Sequence, residues 1–406
     1  MNILFVHQNF PGQFVHLAPA LAQRGHSVAA LTVDTNPQAS AVRVARYRLE
    51  PRTFDRATLR LGTTFAEHAH RGEAVARAAH ALRIQRGMVP DVVFGHPGWG
   101  EMLFLKDVWP KARHLGYAEF FYRSRGLDTD FDPEFRNDDL TGKLWVTSRQ
   151  APHLHAMNAI DKAISPTRWQ ASTFPDHFQT RISVIHDGID TERVRPGDSA
   201  SVQLPGVKGQ FRRGDEVLAF VNRNLEPYRG YHIFMRALPA VLEARTEAQV
   251  VIVGEDGVSY GRKPPGATSW KQIFLDEVGD RLDRSRVHFV GRLSYATFVD
   301  LMRVSRVHAY LTYPFVLSWS MLEAMSAGCL VVGSRTPPVE EVIEDGVNGR
   351  LVDFFDVRAW SDALIEALAR PEQFERLRAA ARQTIVERYD LRRHCLPKHI
   401  AFVEKG

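Results

Sequence analysis

Short apolar runs punctuate this chain, and the stretches between them carry apolar residues at helical spacing. In the first half these runs predict strands at Asn2 to His7, Ser27 to Val33, Asp91 to Gly95 and Ile182 to His186. Phe14 to Gln23, closing at Arg24-Gly25, and Thr64 to Arg86 read as helices between them. A second series begins with a strand at Val217 to Val221 and a helix starting near Tyr231. Further strands follow near Val250 to Gly254, Val287 to Val290, His308 to Leu311 and Leu330 to Gly333. Strands that are apolar throughout are buried on both faces, so the pattern predicts α/β architecture with open parallel sheets covered by helices. Gly188 to Gly214, with Pro196 and Pro205, breaks the alternation and reads as a linker. The predicted division is residues 1–190, a linker 191–215, a second domain 216–385 and a closing segment 386–406.

Composition narrows the class. At 406 residues the chain is long enough for two cores, and 44% hydrophobic with 24% charged residues suits a soluble globular protein. Two cysteines, Cys329 and Cys395, exclude a disulfide framework or zinc spacing and point to a reducing, cytoplasmic compartment. The apolar run at the N-terminus spans about five residues without a basic leader, which predicts a first strand, not a signal peptide. No run reaches the roughly 18 to 20 residues that cross a bilayer. A net charge of +5 suits an anionic nucleotide, a membrane surface or nucleic acid. No basic patch interleaved with aromatics supports the last of these.

The chemistry concentrates in Tyr313 to Val332, YPFVLSWSMLEAMSAGCLVV. Ser318 is a candidate N-cap, Trp319 to Ala327 is helical, Gly328 sits at the C-terminal cap, and Cys329 to Val332 begins a strand. The first amides, near Ser318 and Trp319, have no intrahelical acceptor and are expected to hold a phosphate oxygen. Glu323 is the one charged residue of the segment. Helical side chains lean toward the N-terminus, so its carboxylate is expected to accept hydrogen bonds from sugar hydroxyls beside that phosphate. Upstream, EVLAFVNRNLEPYRGYHIFMRALP places Arg223 and Arg229 at the carboxyl end of a strand, with Gly230 allowing close backbone approach. Two cations there suit a leaving pyrophosphate.

These segments resemble the donor-binding motifs of the retaining family 4 glycosyltransferases. Their LEAMAxGxPVV helix follows the turn that holds a nucleotide-sugar diphosphate, here Phe315, Val316, Leu317, Ser318 and Trp319. The resemblance implies that Glu323 contacts the donor ribose. An earlier motif glutamate, which contacts the donor sugar in the family, is replaced by Phe315. Arg223 matches the family arginine, and Arg229 stands where lysine is usual. VHFVGRLS sets Arg292 and Leu293 where the family contacts the base. His96, in DVVFGHPGWGE, matches a histidine near the donor sugar, and Gly12, in QNFPGQF, matches a glycine loop near the diphosphate or acceptor. ISVIHDGID, with His186, Asp187, Gly188 and Asp190, stands at the family's interdomain hinge. The implied fold is GT-B: two doubly wound, Rossmann-like domains facing across a cleft. Residues 1–190 would be the acceptor side, 216–385 the donor side, and the final helix within 386–406 would cross back to the first domain.

Two tempting motifs lead elsewhere. Asp128, Asp130 and Asp132 in RGLDTDFDPEF lack the glycine and glutamate of a calcium loop. A metal-binding DxD reading competes with Arg223, Arg229 and the helix terminus for the same electrostatic work, so neither metal nor cofactor is expected. GEDGVSYG, from Gly254 to Gly261, has the wrong spacing for a dinucleotide fingerprint. The expected activity is therefore transfer of a sugar from a nucleoside diphosphate sugar to a carbohydrate or lipid-linked acceptor hydroxyl, in glycan, polysaccharide or glycolipid synthesis. Peripheral contact with the inner membrane surface is a further expectation. The alternatives are a sugar-nucleotide epimerase of the same fold and a non-catalytic nucleotide-sugar-binding protein.

Overall fold

Strand β1 (Asn2–Val6) illustrates how the apolar runs are used. Ile3 and Phe5 enter the core on one face of its sheet, while Leu4 and Val6 enter the core on the other. The computed structural model describes all residues except 137, 138, 265, 267 and 406. The chain forms two units, Met1–Asp187 with Arg392–Gly406, and Gly188–Leu391. The first crossing thus falls within ISVIHDGID, between Asp187 and Gly188.

The strands of the first unit are β1, β2 (Ser27–Val33), β3 (Arg43–Tyr47), β4 (Val92–Gly95), β5 (Arg113–Tyr117), β6 (Lys162–Ser165) and β7 (Ile182–Val184). They form one parallel sheet in the order β3-β2-β1-β4-β5-β6-β7. The order reverses between β1 and β4, which makes a switch point where their carboxyl ends open a crevice. The long helix Thr63–Arg86 lends Val75 and Ala79 to one core. The C-terminal helix Leu396–Lys405 lends Phe402 and Val403 to the other, beside Ile3 and Phe5. Two bonds fasten it: Arg113 donates to the carbonyl of Val403, and Arg24 Nε donates to Glu404 Oε1 at 2.8 Å.

The second unit begins with a segment that the sequence reads as linker. Residues 191–215 instead carry a two-stranded antiparallel ladder, β8 (Ser201–Val202) and β9 (Phe211–Arg212), and bury Val194, Val202 and Leu204. Arg382 and Arg303 bind carbonyls of this segment, at Thr191, Val194, Arg193 and Arg195. Its prolines and glycines shape turns on a folded surface, and the aliphatic side chains of Val194, Val202 and Leu204 anchor it. The main sheet consists of β10 (Val217–Asn224), β11 (Gln249–Glu255), β12 (Val287–Gly291), β13 (Val307–Tyr310), β14 (Leu330–Ser334) and β15 (Arg350–Val352). It is parallel, in the order β12-β11-β10-β13-β14-β15, with its switch point between β10 and β13. Among the described residues, no helix is long and apolar enough to cross a membrane.

Candidate functional site

In the second unit the loops leaving β10 and β13 meet at the switch point, where the Tyr313 amide donates to the Tyr228 carbonyl at 3.1 Å. The 3-10 turn Pro227–Arg229 ends at Gly230, whose φ is +68°. A Cβ at Gly230 would stand 2.2 Å from Leu311 Cβ, so only glycine lets the loops approach this closely. That approach seats Arg229. Its Nη1 donates to Thr312 Oγ1 at 2.7 Å and to the Val316 carbonyl at 2.9 Å. The guanidinium lies 5.2 Å from the Tyr260 ring centroid and 5.6 Å from that of Phe315, and the residue is only 6% exposed. Arg223, near the end of β10 beside a register shift, is exposed. One cation is therefore built into the site and the other extends into solvent.

Phe315 is buried among aromatic rings. Its centroid lies 4.9 Å from Tyr260 and 5.2 Å from Tyr228, and Tyr228 lies 4.8 Å from Tyr313. A phenyl ring here, where the resembled motif has a carboxylate, leaves the charge of Arg229 unopposed from that position. Local order marks Glu226 only as part of a turn, yet it is fully buried. Its carboxylate accepts from the amides of Ser259 at 3.0 Å and Gly261 at 2.8 Å, with Tyr260 between them. Burial raises the Glu226 carboxyl above the usual range while the amide donors hold it down. The GEDGVSYG loop is thereby latched, and Tyr260 is set against Arg229.

The helix Trp319–Ser326 starts where the sequence predicts, with Ser318 Oγ accepting the Ser320 amide and Gly328 following its end. One expectation fails. The Ser318 amide, assigned to a phosphate oxygen, instead donates to the Tyr310 hydroxyl at 2.9 Å, because the ring at the end of β13 reaches the turn first. Leu317 is core, Val316 is half-buried and Trp319 is exposed. Glu323 is buried and accepts a hydrogen bond from the Tyr295 hydroxyl at 2.7 Å. Burial raises its carboxyl, and the Tyr295 bond opposes the rise. The Tyr295 ring in turn carries the Arg193 guanidinium at 4.5 Å. Neither partner is legible as such from the sequence. Arg292 is exposed, while Leu293 packs on the core.

The first unit repeats this logic at its own switch point. His7 follows β1 and His96 follows β4, with ring centroids 6.5 Å apart. Gly12 has φ +49°, and a Cβ there would meet the His7 ring at 2.9 Å. It opens a 3-10 turn, Gly12–Phe14, and the helix proper waits until Leu17. His7 Nδ1 accepts the Asn9 amide and His96 Nδ1 accepts the Gly98 amide, each at 3.0 Å. Burial pushes the His7 imidazole down to about 4, aided by nearby His96, so it is neutral at pH 7. Asp128, Asp130 and Asp132 do not converge on one point. Asp130 accepts the Gly126 amide, Asp132 accepts the Glu134 amide, and burial lifts the Asp128 carboxyl to about 7. Among the described residues no group of three or more His, Cys, Asp or Glu is arranged to hold a metal ion.

Comparison with known proteins bears on the family and the fold. Residues 24–194 match the family model "Glycosyl transferase family 4 group", and residues 207–384 match "Glycosyl transferases group 1". The D-inositol 3-phosphate glycosyltransferase of Mycobacterium avium is 29% identical over 198 residues, 47% of this chain and 42% of that protein. Its Mycobacterium bovis BCG counterpart is 29% identical over 212 residues, 50% of this chain and 40% of that protein. The match thus spans about two fifths of the length of these curated relatives. Anabaena HepE, crystallised with UDP and glucose, superposes with a TM-score of 0.65 at 16% identity, covering 100% of both chains. Sucrose-phosphate synthase from Thermosynechococcus elongatus gives 0.71 at 15% identity, covering 100% of this chain and 98% of that one. These likenesses show the GT-B fold, and with the two family models lying end to end along the sequence, the chain belongs to the family 4 glycosyltransferases.

Proposed function

We propose that the chain transfers a sugar, with retention, from a nucleoside diphosphate sugar to an acceptor hydroxyl, in glycan, polysaccharide or glycolipid synthesis. The observation that carries this reading is Arg229, buried, bonded to Thr312 and Val316, and held at the switch point of the second sheet. A preorganised cation at the carboxyl ends of parallel strands stabilises charge as it develops on a leaving diphosphate. Arg223 adds an exposed second cation, and Glu323 takes the ribose hydroxyls. A UDP-sugar is the first donor to test, since structural neighbours of this fold were crystallised with UDP and with UDP-glucose. In the transfer step the bond from the anomeric carbon to the phosphate oxygen breaks and the bond to the acceptor oxygen forms on the same face. The acceptor proton passes to the departing phosphate. No residue of this chain is required as a covalent nucleophile, and the cations carry the electrostatic work that a metal would otherwise do.

The test is calorimetric titration with uridine, guanosine and adenosine diphosphates and their sugars, with and without EDTA, followed by diphosphate release across an acceptor panel. Tight binding of one nucleotide that survives EDTA supports a metal-free donor site, and the absence of any binding overturns the proposal. An epimerase would instead convert the donor sugar with no acceptor present, and a pure binding protein would release no diphosphate with any acceptor. Glu323→Gln is expected to weaken nucleoside diphosphate affinity about tenfold, the cost of exchanging charge-assisted bonds for neutral ones. Unchanged affinity would remove the ribose assignment.

A further inference from the structure

The long helix Thr63–Arg86 turns Gly72, Val75 and Ala79 into the first unit, yet its opposite face is not polar. Ala66, Ala69, Ala76 and Ala81 are half-buried there, and Ile84 is 67% exposed. This face floors an open groove of about 980 Å³, walled by Phe54 on one side and by Phe104 and Val108 on the other. Neither His7 nor His96 lines it. An apolar helix face in an open groove is normally covered by something. Its order is unusual. Residues 69–81, AHRGEAVARAAHA, read nearly alike in both directions about Val75. Ala69 matches Ala81, His70 matches His80 and Ala74 matches Ala76, while Glu73 is answered by its opposite charge, Arg77. At about 100° per residue, Glu73 and Arg77 flank the middle of the open face. Both are exposed, and Arg77 Nη2 donates to Glu73 Oε1 at 2.6 Å.

We propose that this face is the interface of a symmetric dimer, with a second copy of this chain as its occupant. An antiparallel pair of these helices, related by a two-fold axis level with Val75, sets Glu73 of each copy against Arg77 of the other, and Ile84 against Ala66. The four charges then alternate in sign around the axis. Alanines at 69 and 81 let the backbones approach to the roughly 8 to 10 Å of packed helices. The walls obey the same symmetry. Phe54 stands by His70, with ring centroids 6.0 Å apart, and the Arg52 guanidinium lies 5.3 Å from the Phe54 centroid. On the other side, the Val108 carbonyl accepts from Arg83 Nη1 at 2.6 Å. Arg52 and Asp107 thus line opposite walls toward opposite ends of the helix, and the axis carries Arg52 of each copy toward Asp107 of the other. Charge selects this occupant over a lipid surface. The cations Arg52 and Arg77 are balanced by the anions Glu73 and Asp107, which gives no net attraction to anionic lipid but suits self-pairing. The face from Ala66 to Ile84 is about 27 Å long, a small interface whose dimer dissociates at about micromolar concentration. The inference is independent of the transferase reading.

The test is sedimentation velocity of the full chain from about 1 to 200 μM, the range in which an interface of this size dissociates. The wild-type protein is expected to pass from monomer to dimer across it. Arg77→Glu gathers four carboxylates around the axis and Glu73→Arg gathers four guanidiniums, so each is expected to weaken the dimer about a hundredfold. Glu73→Arg combined with Arg77→Glu restores the alternation, and the dimer is expected to return to within a few-fold of wild type. Circular dichroism and thermal melts report whether each variant is folded. A wild-type protein that stays monomeric throughout, single variants that dimerise as well as wild type, or a folded double variant that stays monomeric each overturn the proposal. Co-sedimentation of monomer with phosphatidylglycerol vesicles, lost in Ile84→Asp, would give the face to a membrane and overturn it as well.

Discussion

Arg229→Ala is expected to lower diphosphate release about a thousandfold, the upper range for losing one preorganised donor to a developing anion. Two properties place it above Arg223→Ala. Arg229 is buried and fixed by two hydrogen bonds, so its charge is aligned before substrate arrives, whereas Arg223 must be ordered from solvent. Removing Arg229 also strands Thr312 and the Val316 carbonyl, at a cost of about 1 to 3 kcal/mol for each group left unpaired. The melting temperature is therefore expected to fall in Arg229→Ala and to stay unchanged in Arg223→Ala, which should still lose about a hundredfold in turnover. Arg229→Lys keeps the charge but loses the planar guanidinium set against the Tyr260 and Phe315 rings, so partial rescue is expected. Steady-state kinetics and thermal melts on the three variants decide the matter. Turnover within a few-fold of wild type in a folded Arg229→Ala would end its assignment to the leaving group.

Acid should weaken the first unit far more than the second. Desolvation drives six of its imidazoles down: His7, His68 and His399 to about 4, His153 and His186 to about 3, and His114 below its usual range as well. In the unfolded chain they titrate near 6.5. The unfolded state therefore binds the extra protons first, and stability that is complete above pH 6.5 drains away as the pH falls toward 4 and 3. Each pK unit corresponds to about 1.4 kcal/mol, so even after a generous discount the unit loses several kcal/mol. Glu101 and Asp128, raised by burial, shift the balance the other way, but they are two groups against six. In the second unit His308 is lowered to about 4 and His288 is also lowered, while burial raises Glu226 and Glu323, so the opposing shifts come closer to cancelling. Hydrogen exchange at pH 7 and pH 5, corrected for intrinsic rates, should show protection lost mainly in residues 1–187 and 392–405. Equal loss across both units would refute this.

The central strands were legible because parallel strands buried on both faces are apolar throughout. β2 falls on the predicted residues, and β1, β4, β10 and β13 fall within a few of them. What escaped are strands whose composition is set by position. RVARY at the sheet edge is largely exposed, KAIS and RLV each begin with a cation, and RHLGY breaks its run with His114 and Gly116. The candidate site divides in the same way. Arg229, Glu323 and the helix after Ser318 were readable from local order. Glu226 and Tyr295 were not, because their roles arise from contacts made across long stretches of chain. The Ser318 amide was misassigned for the same reason, since a helix-start rule cannot see the Tyr310 hydroxyl that fills it.

The placing of Leu396–Lys405 in the first unit bears on how the protein is made. Phe402 and Val403 close the core over Ile3 and Phe5 of β1, which is synthesised long before them. Residues 1–187 thus lack one wall of their core until residues 396–405 emerge, and that apolar face must wait through the whole synthesis of Gly188–Leu391. The second unit, continuous in sequence, is free to fold during that interval and to deliver the missing helix.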